Sequence, residues 1–144
     1  MDESAVYLNP DLPPRPILRA LARALALARA YEGATAPNPP VGCVLLDANW
    51  QELATGAHRR AGMPHAEADA IAKARAAGLA DKVDSVVVTL EPCNHHGRTP
   101  PCTEAVLEAG IRRVVVGCAD PTPAVAGGGA DFLRQRGVAV EMGV

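Results

Sequence analysis

The sequence has few aromatic residues and no concentrated positive charge. Its 144 residues include four aromatic side chains, Tyr7, Tyr31, Trp50 and Phe132, and the formal net charge is −2. Proteins that bind single-stranded nucleic acids stack bases on aromatic side chains and neutralise phosphates with clustered basic residues. The scattered basic residues offer little attraction for an anionic membrane either. We therefore expect neither a nucleic-acid partner nor a membrane partner.

A secretory signal and a membrane-spanning run are also missing from the pattern. The first sixteen residues, MDESAVYLNPDLPPRP, are acidic and proline-rich, whereas a secretory signal has basic residues followed by an apolar stretch. No apolar run approaches the roughly 20 residues that cross a bilayer. We therefore expect a cytoplasmic protein. Thiols stay reduced in that compartment, so a close pair of cysteines more often binds metal or takes part in chemistry than forms a disulfide.

What the sequence does contain is the pattern of a single α/β domain. Apolar residues make up 49% and charged residues 21% of the chain, as in ordinary globular domains. Helical periodicity over residues 16–32 is followed by two short strand patterns, at 41–47 and 52–58. Beyond them, helix patterns (64–78, 100–110, 128–137) alternate with strand patterns (84–90, 112–118, 138–142). We predict a flexible lead-in over residues 1–15 and, over 16–144, a three-layer α/β/α sandwich with a mixed, partly parallel sheet of about five strands.

Two polar clusters fall where such a sheet places ligands. HAE at 65–67 opens one predicted helix, and PCNHHGRTPPC at 92–102 joins a strand end to the next helix. Ligands of open α/β sheets bind beyond the carboxyl ends of the strands, where loops lead into helices. We therefore expect the two clusters to meet at one edge of the sheet.

The two clusters supply a set of ligands suited to zinc. His65 offers an imidazole, and Cys93 and Cys102 offer thiolates, a combination that zinc favours. Three protein ligands leave the fourth tetrahedral position open, which is typical of catalytic rather than structural sites. Glu67 lies two residues after His65 and would place a carboxylate beside the metal. Cys43 and Cys118 stand in apolar strand patterns, where we expect small buried side chains.

Four segments together resemble a known family. They are PNPPVGCVLL (37–46), AGMPHAEADAI (61–71), TLEPCNHHGRTPPC (89–102) and DPTPAVAGGG (120–129). H-x-E followed by P-C-x-x-C is the general signature of zinc deaminases, but here eight residues separate the two cysteines. In order and spacing, over about residues 16–142, the segments resemble the deaminase domain of the riboflavin-biosynthesis deaminase/reductase family. The resemblance implies a cytidine deaminase-like fold and hydrolytic deamination of diaminohydroxyphosphoribosylaminopyrimidine.

The resemblance also implies a role for individual residues. His65, Cys93 and Cys102 would hold the zinc ion, and Glu67 would move a proton from a water activated by the metal to the leaving amine. Residues expected to contact the substrate are Asn38, His58, His95, Arg98, Thr99 and Asp120. The planar guanidinium of Arg98 suits a phosphate group.

The sequence departs from the family pattern at a few places. Thr122 stands where asparagine is common, and Gly128 stands where a basic residue is common. The 144 residues do not include the reductase domain that usually accompanies the family, so we expect either a stand-alone deaminase or the excised half of a bifunctional protein. A separate reductase would then be needed for the next step. Because the family commonly self-associates, we also expect a homo-oligomer. One alternative is a zinc deaminase that acts on another small pyrimidine, purine or pteridine-like compound. The other is a non-catalytic scaffold domain stabilised by zinc. Glu67 argues against the scaffold, because a structural site has no use for a carboxylate that is not a ligand.

Overall fold

A computed structural model describes residues 14–94, 101–119 and 128–143 of the chain. Within them four helices and five strands alternate in the predicted order. The helices are α1 (Arg15–Ala30), α2 (Ala66–Ala76), α3 (Cys102–Glu108) and α4 (Gly128–Gln135). The strands are β1 (Gly42–Leu46), β2 (Glu52–Ala57), β3 (Ser85–Leu90), β4 (Arg113–Cys118) and β5 (Ala139–Glu141). A short 3₁₀ helix over Ala80–Lys82, which the sequence pattern did not indicate, connects α2 to β3.

The strands form one mixed sheet in the order β2-β1-β3-β4-β5. β1 runs antiparallel to both β2 and β3, whereas β3, β4 and β5 are parallel to one another. The parallel strands are connected through α3 and α4, as βαβ units require. The prediction of a mixed, partly parallel sheet of five strands is confirmed.

Alternate residues along the strands supply two separate cores, one on each face of the sheet. Val87 of β3 packs with α1 on one face. Its neighbours Val86 and Val88 pack on the other face with side chains from α2, α3 and α4. This alternation follows from the two-residue period of a strand. The layers are therefore α1, the sheet, and α2–α3–α4, which confirms the three-layer sandwich.

A close approach between α2 and β2 fixes the position of α2 on the sheet. A Cβ atom built on Gly56 of β2 would lie 2.1 Å from the carbonyl oxygen of Ala66 and 2.6 Å from the amide nitrogen of Ala70. Only glycine permits this packing. The Asp69 carboxylate of α2 also accepts a hydrogen bond from the Ala57 N–H, at 3.1 Å, so the start of α2 is tied to the end of β2.

In the residues the structure covers, none of the helices is both long and apolar enough to cross a membrane. Residues 1–13, which include most of the predicted lead-in, lie outside the described ranges, and α1 begins at Arg15.

Candidate active site

Three potential metal ligands meet at the edge of the sheet where β3 ends. His65 immediately precedes α2, Cys93 follows β3, and Cys102 is the first residue of α3. Their ligand atoms all lie within 4.8 Å of one another. His65 Nδ1 is 3.6 Å from Cys93 Sγ and 3.3 Å from Cys102 Sγ. One imidazole and two thiols at this spacing fit a zinc ion.

The thiols titrate as a pair. Mainly through the hydrogen bond with the Cys102 thiol, the pKa of Cys93 is lowered to about 4. The same hydrogen bond raises the pKa of Cys102, and the Cys102 backbone N–H also donates to Cys93 Sγ at 3.3 Å. A hydrogen bond with Cys93 is the main reason that the pKa of His65 is raised. Because zinc binds thiolates and neutral imidazole, binding would displace the protons held by this cluster.

Glu67 is a buried carboxyl beside the three ligands. It belongs to the first turn of α2, and only 3% of its surface is exposed. Burial is the main reason that its pKa is raised to about 7, and the negative charge of Cys93 adds to the effect. A carboxyl group with this pKa can both accept and donate a proton near neutral pH. Such a group is suited to proton transfer.

A cavity of about 160 Å³ opens over this cluster. Its polar lining comes from Asn38, His58, His65, Glu67, Glu91 and Cys93. Apolar side chains of Pro39, Val41 and Leu90 complete the wall. The cavity is thus small and concave with a few converging polar groups, as sites for small molecules usually are.

Asn38 and His58 are joined by a hydrogen-bonded chain. His58 Nδ1 lies 3.1 Å from the Pro64 carbonyl oxygen, and its Nε2 lies 3.3 Å from Asn38 Nδ2. Since a carbonyl oxygen only accepts hydrogen bonds, Nδ1 carries the proton and Nε2 accepts from the Asn38 amide. The Asn38 amide nitrogen is thus bound to His58, and Asn38 lines the cavity. His58 itself is only 2% exposed, so its geometry favours orientation of Asn38.

A buried threonine holds the turn that carries Asn38. The Asn38 N–H donates to the Thr35 carbonyl at 2.8 Å, and Thr35 Oγ1 donates to the Asn38 carbonyl at 2.8 Å. These reciprocal bonds fix the backbone at the mouth of the cavity.

The structure therefore brings six of the predicted site residues together: His65, Glu67, Cys93, Cys102, Asn38 and His58. Four other candidates, His95, Arg98, Thr99 and Asp120, lie outside the described residues, and their roles stay predictions. Sequence reasoning did not single out Glu91, although it follows β3 directly and lines the cavity.

The two remaining cysteines differ in exposure. Cys43 is fully buried in the core, as predicted. The prediction for Cys118 was wrong: it is exposed, because the buried part of β4 ends at Val116, two residues before this last position of the strand.

Comparison with known proteins assigns the fold to a family. Residues 17–118 match the sequence profile of the cytidine and deoxycytidylate deaminase zinc-binding region. This span contains His65, Cys93 and Cys102. The chain belongs to the cytidine and deoxycytidylate deaminase family.

Relatives similar in sequence to this chain include riboflavin-biosynthesis proteins. The deaminase-family chain is 50% identical over 122 residues to the riboflavin biosynthesis protein RibD of Synechocystis, covering 85% of this chain and 32% of that protein. It is 40% identical over 124 residues to a diaminohydroxyphosphoribosylamino-pyrimidine deaminase of Buchnera aphidicola, covering 86% and 82% of the two chains.

A solved structure of a similar protein has the same fold over most of this chain. The Thermotoga maritima diaminohydroxyphosphoribosylaminopyrimidine deaminase/5-amino-6-(5-phosphoribosylamino)uracil reductase superposes with a TM-score of 0.82 at 44% identity, over 90% of this chain and 36% of that one. The chain spans about a third of the length of its RibD relatives, with 32% of the Synechocystis protein covered. It matches most of the Buchnera deaminase.

Proposed function

We propose that the protein is a zinc-dependent hydrolase that deaminates diaminohydroxyphosphoribosylaminopyrimidine in riboflavin biosynthesis. The observation that carries this proposal is the cluster of His65, Cys93 and Cys102 with the buried Glu67 beside it. His65, Glu67 and Cys93 also line a small cavity. The identity to the Buchnera protein, whose name gives this activity and most of whose length is covered, supports the choice of substrate.

The reaction exchanges an amino group on the pyrimidine ring for oxygen. His65, Cys93 and Cys102 would hold a zinc ion, which would supply the Lewis acidity that makes water a better nucleophile at neutral pH. The oxygen of water forms a bond to the ring carbon, the bond from that carbon to the exocyclic nitrogen breaks, and the nitrogen leaves as ammonia. The product is the corresponding pyrimidinedione.

Glu67 moves the protons that this exchange requires. Its carboxylate accepts a proton as water attacks, and the resulting carboxylic acid donates a proton to the departing nitrogen. Burial is the main cause that raises the pKa of this carboxyl to about 7, so both its ionised and its protonated form are accessible near neutral pH. Burial excludes bulk water, which would otherwise compete for these protons.

Asn38 orients the substrate over the cluster. His58 accepts a hydrogen bond from the Asn38 amide nitrogen, so the amide oxygen faces a donor group on the ring. His95, Arg98, Thr99 and Asp120 remain candidates for the base, ribose and phosphate of the substrate. A reductase, on this or another chain, would act on the product. We also propose a homo-oligomer, and a monomer mass in static light scattering would contradict it.

The proposal is tested by measuring ammonia release from the zinc-loaded protein. The substrate is freshly generated diaminohydroxyphosphoribosylaminopyrimidine, with cytidine, cytosine and guanine as comparisons. We expect ammonia from the first compound alone, and loss of turnover when a chelator removes zinc. Turnover of another compound, with none of the proposed substrate, would contradict the assignment and direct attention to Thr122 and Gly128.

A further inference from the structure

The backbone on either side of Cys93 is attached to the start of α4. Glu91 is only 4% exposed. Its side-chain carboxylate accepts a hydrogen bond from the Ala130 N–H at 2.9 Å. Ala130 lies in the first turn of α4, which begins at Gly128. A buried carboxylate that accepts a hydrogen bond from the first turn of a helix is favoured by both the charge-assisted bond and the helix dipole.

A second contact at the same place depends on a glycine. A Cβ atom built on Gly129 would lie 2.0 Å from the Pro92 carbonyl oxygen, a distance that no side chain tolerates. The start of α4 therefore packs directly on the backbone that precedes Cys93. On the other side of Cys93, Asn94 Nδ2 donates to the Gly128 carbonyl at 3.4 Å.

The opposite side of the same segment is attached to α3. The Thr103 N–H donates to the Cys93 carbonyl at 3.2 Å, and Thr103 Oγ1 donates to Asn94 Oδ1 at 2.8 Å. The segment that carries Cys93 is therefore held between two helices. α3 supplies the partner ligand Cys102, whereas the described part of α4 supplies no ligand.

We propose that Glu91 and Gly129 are positioning residues of the metal centre: they hold the backbone of Cys93 against the start of α4 and thereby set the position of its sulfur relative to His65 and Cys102. The inference rests on the zinc-binding part of the proposed function and is independent of the identity of the substrate. Metal ligands must lie within a few tenths of an ångström of their ideal positions, so a residue that orients a ligand affects affinity without contacting the metal.

The first test compares Glu91→Ala with Asp131→Asn. Both remove a carboxylate near the first turn of α4, but Asp131 is exposed and pairs with Arg134 within its own helix. The readout is the zinc dissociation constant, measured by competition with a chromophoric chelator. We expect Glu91→Ala to weaken zinc binding by about 10–100-fold, as the loss of a residue that orients a ligand does, and Asp131→Asn to leave it unchanged.

The second test approaches the same contact from α4. Gly129→Ala forces α4 away from Pro92, whereas a Cβ atom on the neighbouring Gly128 would meet nothing within 4 Å. Gly129→Ala should therefore weaken zinc binding, and Gly128→Ala should not. Glu91→Gln keeps an oxygen that accepts the Ala130 N–H, so it should restore most of the affinity lost in Glu91→Ala and remain folded if the alanine variant does not.

Thermal melting of the zinc-free proteins separates positioning from stability. Wild-type zinc affinity in folded Glu91→Ala or Gly129→Ala, with only a lower melting temperature, would overturn the proposal. So would wild-type affinity in Gly129→Ala combined with failure of Glu91→Ala to fold. Because zinc binding is measured without substrate, a wild-type protein that binds zinc but does not deaminate the proposed compound would refute the proposed function and leave this test valid.

Discussion

At the scale of single residues, the site depends on side chains whose neighbours set their protonation and direction. The hydrogen bond between the two thiols lowers the pKa of Cys93 to about 4, and burial raises that of Glu67 to about 7. The Pro64 carbonyl fixes which nitrogen of His58 carries the proton. The cluster thus combines a thiolate at Cys93 with a carboxyl at Glu67 that exchanges protons near neutral pH.

Replacement of Cys102 by serine should remove most of the affinity for zinc. A serine hydroxyl is a poor substitute for a thiolate, and the loss of a ligand should exceed the roughly 10–100-fold effect of losing a residue that only orients one. The measurement is zinc content after equilibration against a weak chelator. Cys118→Ser is the matched control, because Cys118 is exposed at the end of β4, and it should bind zinc normally. Full zinc occupancy in Cys102→Ser would exclude Cys102 as a ligand.

Asn38 and His58 should behave as one unit in substrate binding. Asn38→Ala removes the proposed contact with the ring, and His58→Ala removes the group that holds the Asn38 amide. Because the second residue acts through the first, the double variant should lose little more of kcat/KM than Asn38→Ala alone, and the interaction energy should be about 1–3 kcal/mol. Independent, additive losses in kcat/KM would show that His58 acts on the substrate by itself.

At the scale of elements, the site is assembled from the starts of two helices and the end of one strand. His65 precedes α2, Cys93 follows β3, and Cys102 begins α3. None of these positions is tolerant of displacement, because the ligand atoms lie within 4.8 Å of one another. Packing between elements therefore bears directly on the metal centre.

Gly56→Ala tests this connection between packing and the site. The added Cβ would lie 2.1 Å from the Ala66 carbonyl and would push α2, with His65, away from β2. We expect a loss of about 1–3 kcal/mol in the free energy of unfolding, the usual cost of overpacking, together with weaker zinc binding. Chemical denaturation and chelator competition measure the two effects. Gly128→Ala, which introduces no clash, is the control, and unchanged stability in Gly56→Ala would contradict the packing described.

The sequence predicted the elements well because their periods are local properties. Strand boundaries were within one residue for β1, β2, β3 and β4, whereas the predicted helix ends extended up to two residues beyond those observed. The predicted helix at 64–78 placed Pro64 in its first turn, but α2 begins at Ala66 after His65. The backbone of His65 is extended, with φ −67° and ψ 162°, so the metal ligand stands outside the helix.

Contacts between distant parts of the chain could not be predicted in the same way. Glu91 accepts a hydrogen bond from a residue 39 positions later, whereas a residue that caps its own helix lies next to it in sequence. Likewise, the hydrogen-bonded chain through Pro64, His58 and Asn38 joins three separate segments.

At the scale of the whole molecule, α1 covers one face of the sheet, and the helices that begin at the candidate metal ligands cover the other. Among the described residues, the core beneath α1 contains no member of the metal cluster, whereas α2 and α3 on the other face begin at its ligands. The parallel arrangement of β3, β4 and β5 directs their carboxyl ends to one edge, where ligands of such sheets bind. The chemistry therefore belongs to that edge, and we propose Glu67 as the residue that moves protons.

The most direct test of this account is ammonia release by zinc-loaded Glu67→Gln beside the wild type. Glutamine has the size of the carboxyl but cannot accept and donate protons, so the variant should retain zinc and lose turnover by at least about 100-fold, the lower range for general acid–base catalysis. Glu108→Gln, a change of an exposed carboxyl at the end of α3, should deaminate normally. Wild-type turnover by Glu67→Gln with zinc bound would contradict the central claim.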